Sequence, residues 1–147
     1  MKLLLFFLAA VAPIVPPGAV NPNVTQANIH QTVCVAGWTK TIRPPASYTN
    51  KLKLEQMAAQ HLVGAPGHYE EDHFIPLEIG GHPTDPLNLW PQPWPEARLK
   101  DRLESYTHRQ MCAGKMTLEQ AQEIFLGDWR TTYDQVATAQ GWPVRGR

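Results

Sequence analysis

Three stretches of the chain space their apolar residues three or four positions apart, as an amphipathic helix requires. The clearest of these patterns begins at Pro95, a residue suited to a first helical turn, and continues to Met111. It predicts a helix with one buried side and one solvent-facing side. The apolar stripe contains Leu99, Leu103 and Tyr106, and the opposite face carries Ala97, Asp101, Glu104 and His108.

The two other helical stretches lie on either side of this one. SYTNKLKLEQMAAQHL has near-helical apolar spacing, and Ser47, Thr49 or Asn50 is suited to cap its start. In TLEQAQEIFLGDWRTTYDQV, Thr117 and Gln120 have the spacing of a capping box, so we predict one helix that begins there. The expected buried stripe of that helix is Leu118, Ala121, Phe125 and Trp129.

Extended structure is predicted in two places. TVCVAGWTKTIRPP alternates and is rich in β-branched residues, which favours a strand or hairpin that ends at Pro44 and Pro45. YEEDHFIPLEIGG is typical of a short strand leading to a turn at Gly80 and Gly81, whereas HPTDPLNLWPQPWP predicts a loop. We therefore expect an α+β fold, a small single domain with a short hairpin, several helices and an N-terminal strand or hairpin.

The first twenty residues have the pattern of a secretory signal peptide. In MKLLLFFLAAVAPIVPPGAV, one lysine precedes an apolar run that is too short and too interrupted by proline to span a bilayer as an ordinary helix. Gly18 and Ala19 suit a cleavage site, so the mature chain is expected to begin near Val20 or Asn21; an uncleaved anchor is the alternative. Residues 21–147 then form one domain, with no stable membrane association after signal removal.

The two cysteines, Cys34 and Cys112, fit the same expectation. An even, minimal count in an exported chain suggests one disulfide, because a metal site would normally need more thiols at short spacing. A loop of that length adds roughly 4 to 5 kcal/mol in the chain-entropy account of disulfides. The predicted location is secreted or periplasmic, and two buried free thiols are the alternative.

The overall charge argues against a strongly electrostatic nucleic-acid binder. The chain has 13 basic and 13 acidic residues, and removal of Lys2 with the signal leaves 12 basic residues against 13 acidic ones. The segment from Asn21 to Leu54 nevertheless contains four basic residues and no acidic one, which leaves room for a local basic surface. Those residues are Lys40, Arg43, Lys51 and Lys53.

The densest candidate chemistry lies between Tyr69 and Trp90. Hydrolysis of a phosphodiester needs a base to deprotonate water, a Lewis acid to take up developing negative charge, and a group that holds the base in its correct tautomer. Asp72, His73 and Asn88 have the side chains for these three roles. Because neighbouring residues of a strand point to opposite faces, Asp72 and His73 meet one substrate only where the strand twists or bulges.

The Asp72-His73 pair, the double glycine, Asn88 and the helix after it resemble the HNH, or ββα-metal, family of endonucleases over residues 69–108. The resemblance implies that Asp72 is a metal ligand, that His73 is the general base and that Asn88 shapes the finger loop and orients the histidine. The metal-binding histidine that the family has on the helix is missing, and we predict Asp101 as its substitute. Carboxylate ligands favour Mg²⁺ or Mn²⁺, and Zn²⁺ stays possible.

The predicted function follows from this resemblance. It implies an exported, metal-dependent endonuclease that acts on nucleic acid, DNA more than RNA, with Lys100 and Arg102 as phosphate contacts beside the metal site. Lys51 and Lys53 extend that basic track. The alternative is a secreted binding or structural module that keeps the finger without turnover. A lipid- or wall-directed hydrolase is disfavoured, because no serine or cysteine nucleophile motif accompanies His73.

Overall fold

The structure, a computed structural model, describes residues 10–146. Within that range five α-helices pack around a two-stranded antiparallel ribbon, so the predicted α+β class is confirmed. Short 3₁₀ turns occupy parts of the connections. The elements are α1 (Trp38–Ile42), α2 (Ala46–Ala59), β1 (Tyr69–His73), β2 (Leu89–Pro93), α3 (Trp94–Cys112), α4 (Leu118–Leu126) and α5 (Trp129–Gln140).

The ribbon places its two strands in an unbroken register. Glu70 pairs with Gln92, Asp72 with Trp90, and His73 with Leu89. Strand β2 lies in the stretch that the sequence predicted to be a loop, and that prediction is wrong. The prolines of this segment suggested a loop, because proline has no N–H group to donate to a neighbouring strand. Both strands of a two-stranded ribbon are edge strands, however, and edge strands tolerate proline.

Helix α3 lies against the ribbon along a buried line that differs from the predicted stripe. Leu103 is buried as expected, but Leu99 and Tyr106 are only partly buried. Lys100 takes a fully buried position instead, which hydropathy alone would assign to solvent. The buried residues of the helix are Ala97, Lys100, Leu103, Thr107 and Met111.

The C-terminal part contains two helices where the sequence predicted one. The capping box is confirmed, because the Thr117 side chain accepts from Gln120 N and the Gln120 side chain accepts from Thr117 N. The predicted stripe is also buried. The helix nevertheless ends at Leu126, since Gly127 is extended and Asp128 caps a new helix by accepting from Arg130 N.

The predicted N-terminal strand or hairpin is wrong. Gln26–Gln31 forms a 3₁₀ turn, and α1 begins after Gly37, whose φ of 80° requires the left-handed region. A strand also needs a partner edge, and the ribbon comprises β1 and β2 alone among residues 10–146. The predicted disulfide between Cys34 and Cys112 is confirmed, and it fixes this segment to the end of α3.

The segment that contains Gly18 and Ala19 packs on the loop between β1 and β2. Gly18 N donates to Leu87 O at 2.9 Å, and His82 N donates to Ala19 O at 2.8 Å. The predicted signal peptide falls partly on residues 1–9, which lie outside the described residues, and its cleavage stays a prediction. Among residues 10–146, no helix is both long and apolar enough to cross a membrane.

Candidate functional site

Asn88, the residue just before β2, holds together the loop that joins β1 to β2. Its side chain is fully buried. The amide oxygen accepts from Ile75 N at 2.9 Å and from Ala19 N at 3.3 Å, and the amide nitrogen donates to Ile75 O and His82 O, both at 3.0 Å. With two donors and two acceptor bonds in use, this amide is fully satisfied and fastens the two sides of the loop together.

The double glycine brings the loop backbone close enough for these bonds. Gly80 has a φ of 78°, a conformation that side chains other than glycine rarely adopt. At Gly81 a Cβ atom would lie 1.8 Å from Ile75 O and 2.9 Å from the Asn88 amide nitrogen. No side chain fits there, so the loop requires glycine at position 81.

His73 ends β1 with its ring turned toward the loop. Its Nε2 lies 2.8 Å from Pro83 O, and because a carbonyl oxygen only accepts, Nε2 carries the proton. In the neutral ring Nδ1 is then the unprotonated nitrogen, available as a base. Burial lowers the pKa of His73 below its ordinary value, although the Pro83 bond opposes this shift, so the ring is neutral at pH 7.

Asp72 leaves the opposite face of the ribbon, toward α3. The register is unbroken through His73, so the bulge that would turn both side chains to one face is not formed. A substrate that contacts both residues has to lie across the end of β1, where the ribbon stops. Asp72 is 8% exposed and accepts a hydrogen bond from Lys100 Nζ at 2.7 Å.

Three carboxylates converge on the α3 face of the ribbon. Glu70, Asp72 and Asp101 each offer one oxygen, and these atoms lie within 4.8 Å of one another. The structure therefore brings together the two carboxylates predicted as metal ligands. Glu70 was missed, although its signal was available: it stands two residues before Asp72, and alternate residues of a strand share a face.

Burial is the main cause of the raised pKa values in this carboxylate group, and the carboxylates also raise one another's pKa. Burial raises the pKa of Glu70 to about 7, with further contributions from Asp72 and Asp101. Burial also raises the pKa of Asp101, and Asp72 adds to that shift. A divalent cation among these oxygens would reverse both effects, because a nearby positive charge favours the ionised carboxylate.

Two side chains at the carboxylate group, Glu70 and Gln92, have buried polar atoms without a hydrogen-bond partner in the described part of the chain. Among the described residues, neither Glu70 Oε2 nor either polar atom of the Gln92 side chain makes a hydrogen bond, and Gln92 is fully buried. Gln92 is the cross-strand neighbour of Glu70, so their side chains share the α3 face. Buried polar groups are normally satisfied, and hard oxygen donors suit Mg²⁺ or Mn²⁺, so the residues fit the predicted ion.

The basic residues predicted as phosphate contacts are not at this site. Lys100 is fully buried and donates all its protons inside the protein, so its predicted role in phosphate binding is wrong. Arg102 lies two positions further along α3, about 200° around the helix, where its guanidinium lies over the Trp142 ring at 4.6 Å. Lys53 is also used internally, since its ammonium donates to Tyr69 O at 2.9 Å.

Arg43 is an exposed cation that shares a cleft with Asp101; the sequence placed it in a basic segment but did not assign it to the site. It lines a cleft of about 200 Å³ together with residues of α1, α3 and the loop. Its charge acts to lower the pKa of both Glu70 and Asp101 and also that of His73. The other residues of the cleft are Thr39, Leu77, Glu78, Asp101, Glu104 and Ser105.

Comparisons of the chain with protein-family models, with curated proteins and with solved structures gave no match. The assignment of a function therefore rests on the residues of the site and their geometry.

Proposed function

We propose that this protein is a metal-dependent nuclease that hydrolyses phosphodiester bonds in nucleic acid. The observation that carries the proposal is the placement, at one end of β1, of a neutral histidine with a free Nδ1 and a convergent group of three carboxylates. A base and an oxygen-rich cation site are two of the components that phosphodiester hydrolysis requires, and a phosphate that lies across the end of β1 would contact both.

The chain's own residues have separate roles in this reaction. His73 Nδ1 accepts the proton of the attacking water, while the bond from Nε2 to Pro83 O keeps the ring in the required tautomer. Asp72, Glu70 and Asp101 would hold Mg²⁺ or Mn²⁺. Such an ion, when bound, acts as a Lewis acid toward the negative charge that develops on the phosphate oxygens. Asn88 holds the loop that presents Pro83.

Arg43 takes the place of Lys100 as the phosphate contact in this proposal. It is exposed, and its cleft adjoins Asp101, one of the proposed ligands. A guanidinium can hold a phosphate through two parallel hydrogen bonds, which Lys100 cannot do from its buried position. DNA is the favoured substrate by the resemblance to HNH endonucleases, and the disulfide supports a secreted or periplasmic location.

The second candidate function is a secreted binding or structural module without turnover. The observation that favours it is the small exposed fraction of His73, 6%, which leaves little of the ring open to a substrate. We place the nuclease first, because a binding module does not account for the three carboxylates that converge beside this histidine.

Plasmid nicking by the oxidised protein tests the proposal. Cutting is expected with Mg²⁺ or Mn²⁺ and not with EDTA, and His73→Ala should lower the rate by about 10² to 10⁴-fold because the base is lost. His61→Ala, on α2's C-terminal side, is the matched control and should cut normally. If the folded wild-type protein does not cut nucleic acid with any of these ions, the nuclease proposal is refuted and the binding module becomes the favoured candidate.

The same assay separates the two arginines. Arg43→Ala is expected to lower kcat/KM by about 10- to 100-fold, since a charge-assisted hydrogen bond contributes roughly 1.5 to 3 kcal/mol. Arg102→Ala removes the same charge from the far side of α3 and should change little. Equal losses in the two variants would argue against a phosphate contact at Arg43.

A further inference from the structure

Lys100 makes an unusual set of contacts for a lysine. Its side chain is fully buried, and its ammonium donates to Asp72 Oδ2 at 2.7 Å, His73 O at 2.8 Å and Glu104 Oε1 at 2.5 Å. An ammonium has three protons, so each proton has its own acceptor. The Lys100 ammonium is therefore hydrogen-bonded both to Asp72, a proposed metal ligand, and to the backbone carbonyl of His73, the proposed base.

We propose that Lys100 is a positioning residue. Its ammonium fixes the Asp72 carboxylate relative to the His73 backbone, so that the distance between the bound ion and the His73 imidazole stays constant. This inference rests on the proposed function. Asp72 and His73 point to opposite faces of β1, so no direct contact between their side chains sets that spacing. The ammonium does so from the helix, and it leaves Asp72 Oδ1 free for the cation.

The surroundings of Lys100 keep its charge in place. Asp72 and Glu104 place two carboxylate oxygens within hydrogen-bond distance of the buried ammonium, at 2.7 Å and 2.5 Å, and so compensate its charge. The Phe125 ring, 5.4 Å from Nζ, closes the site on another side. The charged form is what holds two carboxylates and a carbonyl at once, so the contact geometry persists at neutral pH.

A solely structural role is the competing explanation, because breaking a buried ion pair leaves an uncompensated charge and destabilises any fold. Lys100→Met alone risks that outcome. The double variant Lys100→Met/Glu104→Gln removes one positive and one negative charge together, so its formal charge matches that of the wild type. Glu104→Gln alone is the matched control, since it keeps both the Asp72 and the His73 contacts of the ammonium.

The test measures plasmid nicking at saturating Mn²⁺ and, separately, Mn²⁺ binding by electron paramagnetic resonance. The double variant is expected to fold, to bind Mn²⁺ at least as tightly as Glu104→Gln, and to lose about 100-fold in kcat relative to it, the effect of a misplacement near 1 Å. Lower stability alone would not reduce kcat while leaving Mn²⁺ binding intact.

Two results would overturn the inference while leaving the nuclease proposal intact. One is a folded double variant whose kcat lies within about threefold of Glu104→Gln, a difference below 1 kcal/mol. The other is loss of Mn²⁺ binding together with cutting, which would make Lys100 part of the ion site alone. A wild-type protein that does not cut with any ion overturns both proposals, and this outcome is recognised before any variant is compared.

Discussion

The chemistry available to His73 depends on a single backbone carbonyl. Pro83 O accepts from Nε2, and this bond leaves Nδ1 without a proton in the neutral ring. Burial lowers the pKa of His73, so the fold favours the neutral form. The residue thus combines the tautomer and the protonation state that a general base needs at pH 7, although its dipeptide in the sequence specifies neither.

A titration of the His73 imidazole by NMR in the metal-free protein checks this state. We expect the proton on Nε2 and a midpoint below the ordinary value of 6.5. Because the folded-state pKa is depressed, the group's contribution to stability is complete above 6.5 and is lost as pH falls through the folded-state pKa. A midpoint at or above 6.5, or a proton on Nδ1, would contradict the tautomer assignment.

At the scale of the elements, the loop between β1 and β2 requires a particular residue type at two positions, Gly81 and Asn88. Asn88 bonds to backbone on both sides of the loop, and Gly81 lets that backbone approach. The loop also carries Pro83, the partner of His73. Its geometry is therefore part of the proposed catalytic site.

Gly81→Ala tests this element. The new Cβ would lie 1.8 Å from Ile75 O, a backbone atom that cannot rotate away, so we expect a loss of about 3 kcal/mol or more in the free energy of unfolding. The matched control is Gly67→Ala, where a Cβ meets nothing within 4 Å and the expected change stays within about 0.5 kcal/mol. Urea denaturation of both variants gives the comparison, and equal midpoints would refute the steric argument.

At the scale of the whole molecule, two long-range connections hold the site in place. The disulfide joins Cys34 to Cys112 at the end of α3, and the segment around Gly18 closes over the loop. Ala19 contributes twice, since its N–H donates to Asn88 Oδ1 and its carbonyl accepts from His82 N. Cleavage near Val20, as the signal pattern predicts, would remove these contacts from the mature protein.

Two truncated chains, one beginning at Pro13 and one at Val20, measure the contribution of that segment. The shorter chain lacks four hydrogen bonds, made by Ile14 N, Gly18 N, Ala19 N and Ala19 O, so we expect it to be less stable by roughly 2 to 6 kcal/mol. Urea unfolding of the two oxidised proteins is the measurement. If both chains unfold at the same urea concentration, the segment adds nothing to the domain.

The sequence alone determined the features that depend on local spacing. It predicted the positions of α2, α3 and the start of α4, the glycine turn, and the cysteine pair, because helical periodicity, capping and residue count are readable along the chain. It also selected Asp72 and Asp101, which the fold brings within reach of each other.

Only the tertiary structure decided which contacts these residues make. Strand β2 is hidden by its prolines. The break between α4 and α5, by contrast, has a local signal that the prediction of one helix overlooked, since Gly127 is followed by Asp128, which caps α5.

Lys100 looked like a surface lysine, because no local pattern shows that two carboxylates and a carbonyl converge on its ammonium. Glu104 lies four residues along the same helix, but Asp72 and the His73 carbonyl are 28 and 27 residues away in the chain. The burial of a charge depends on such distant partners, and for that physical reason the sequence could not predict it.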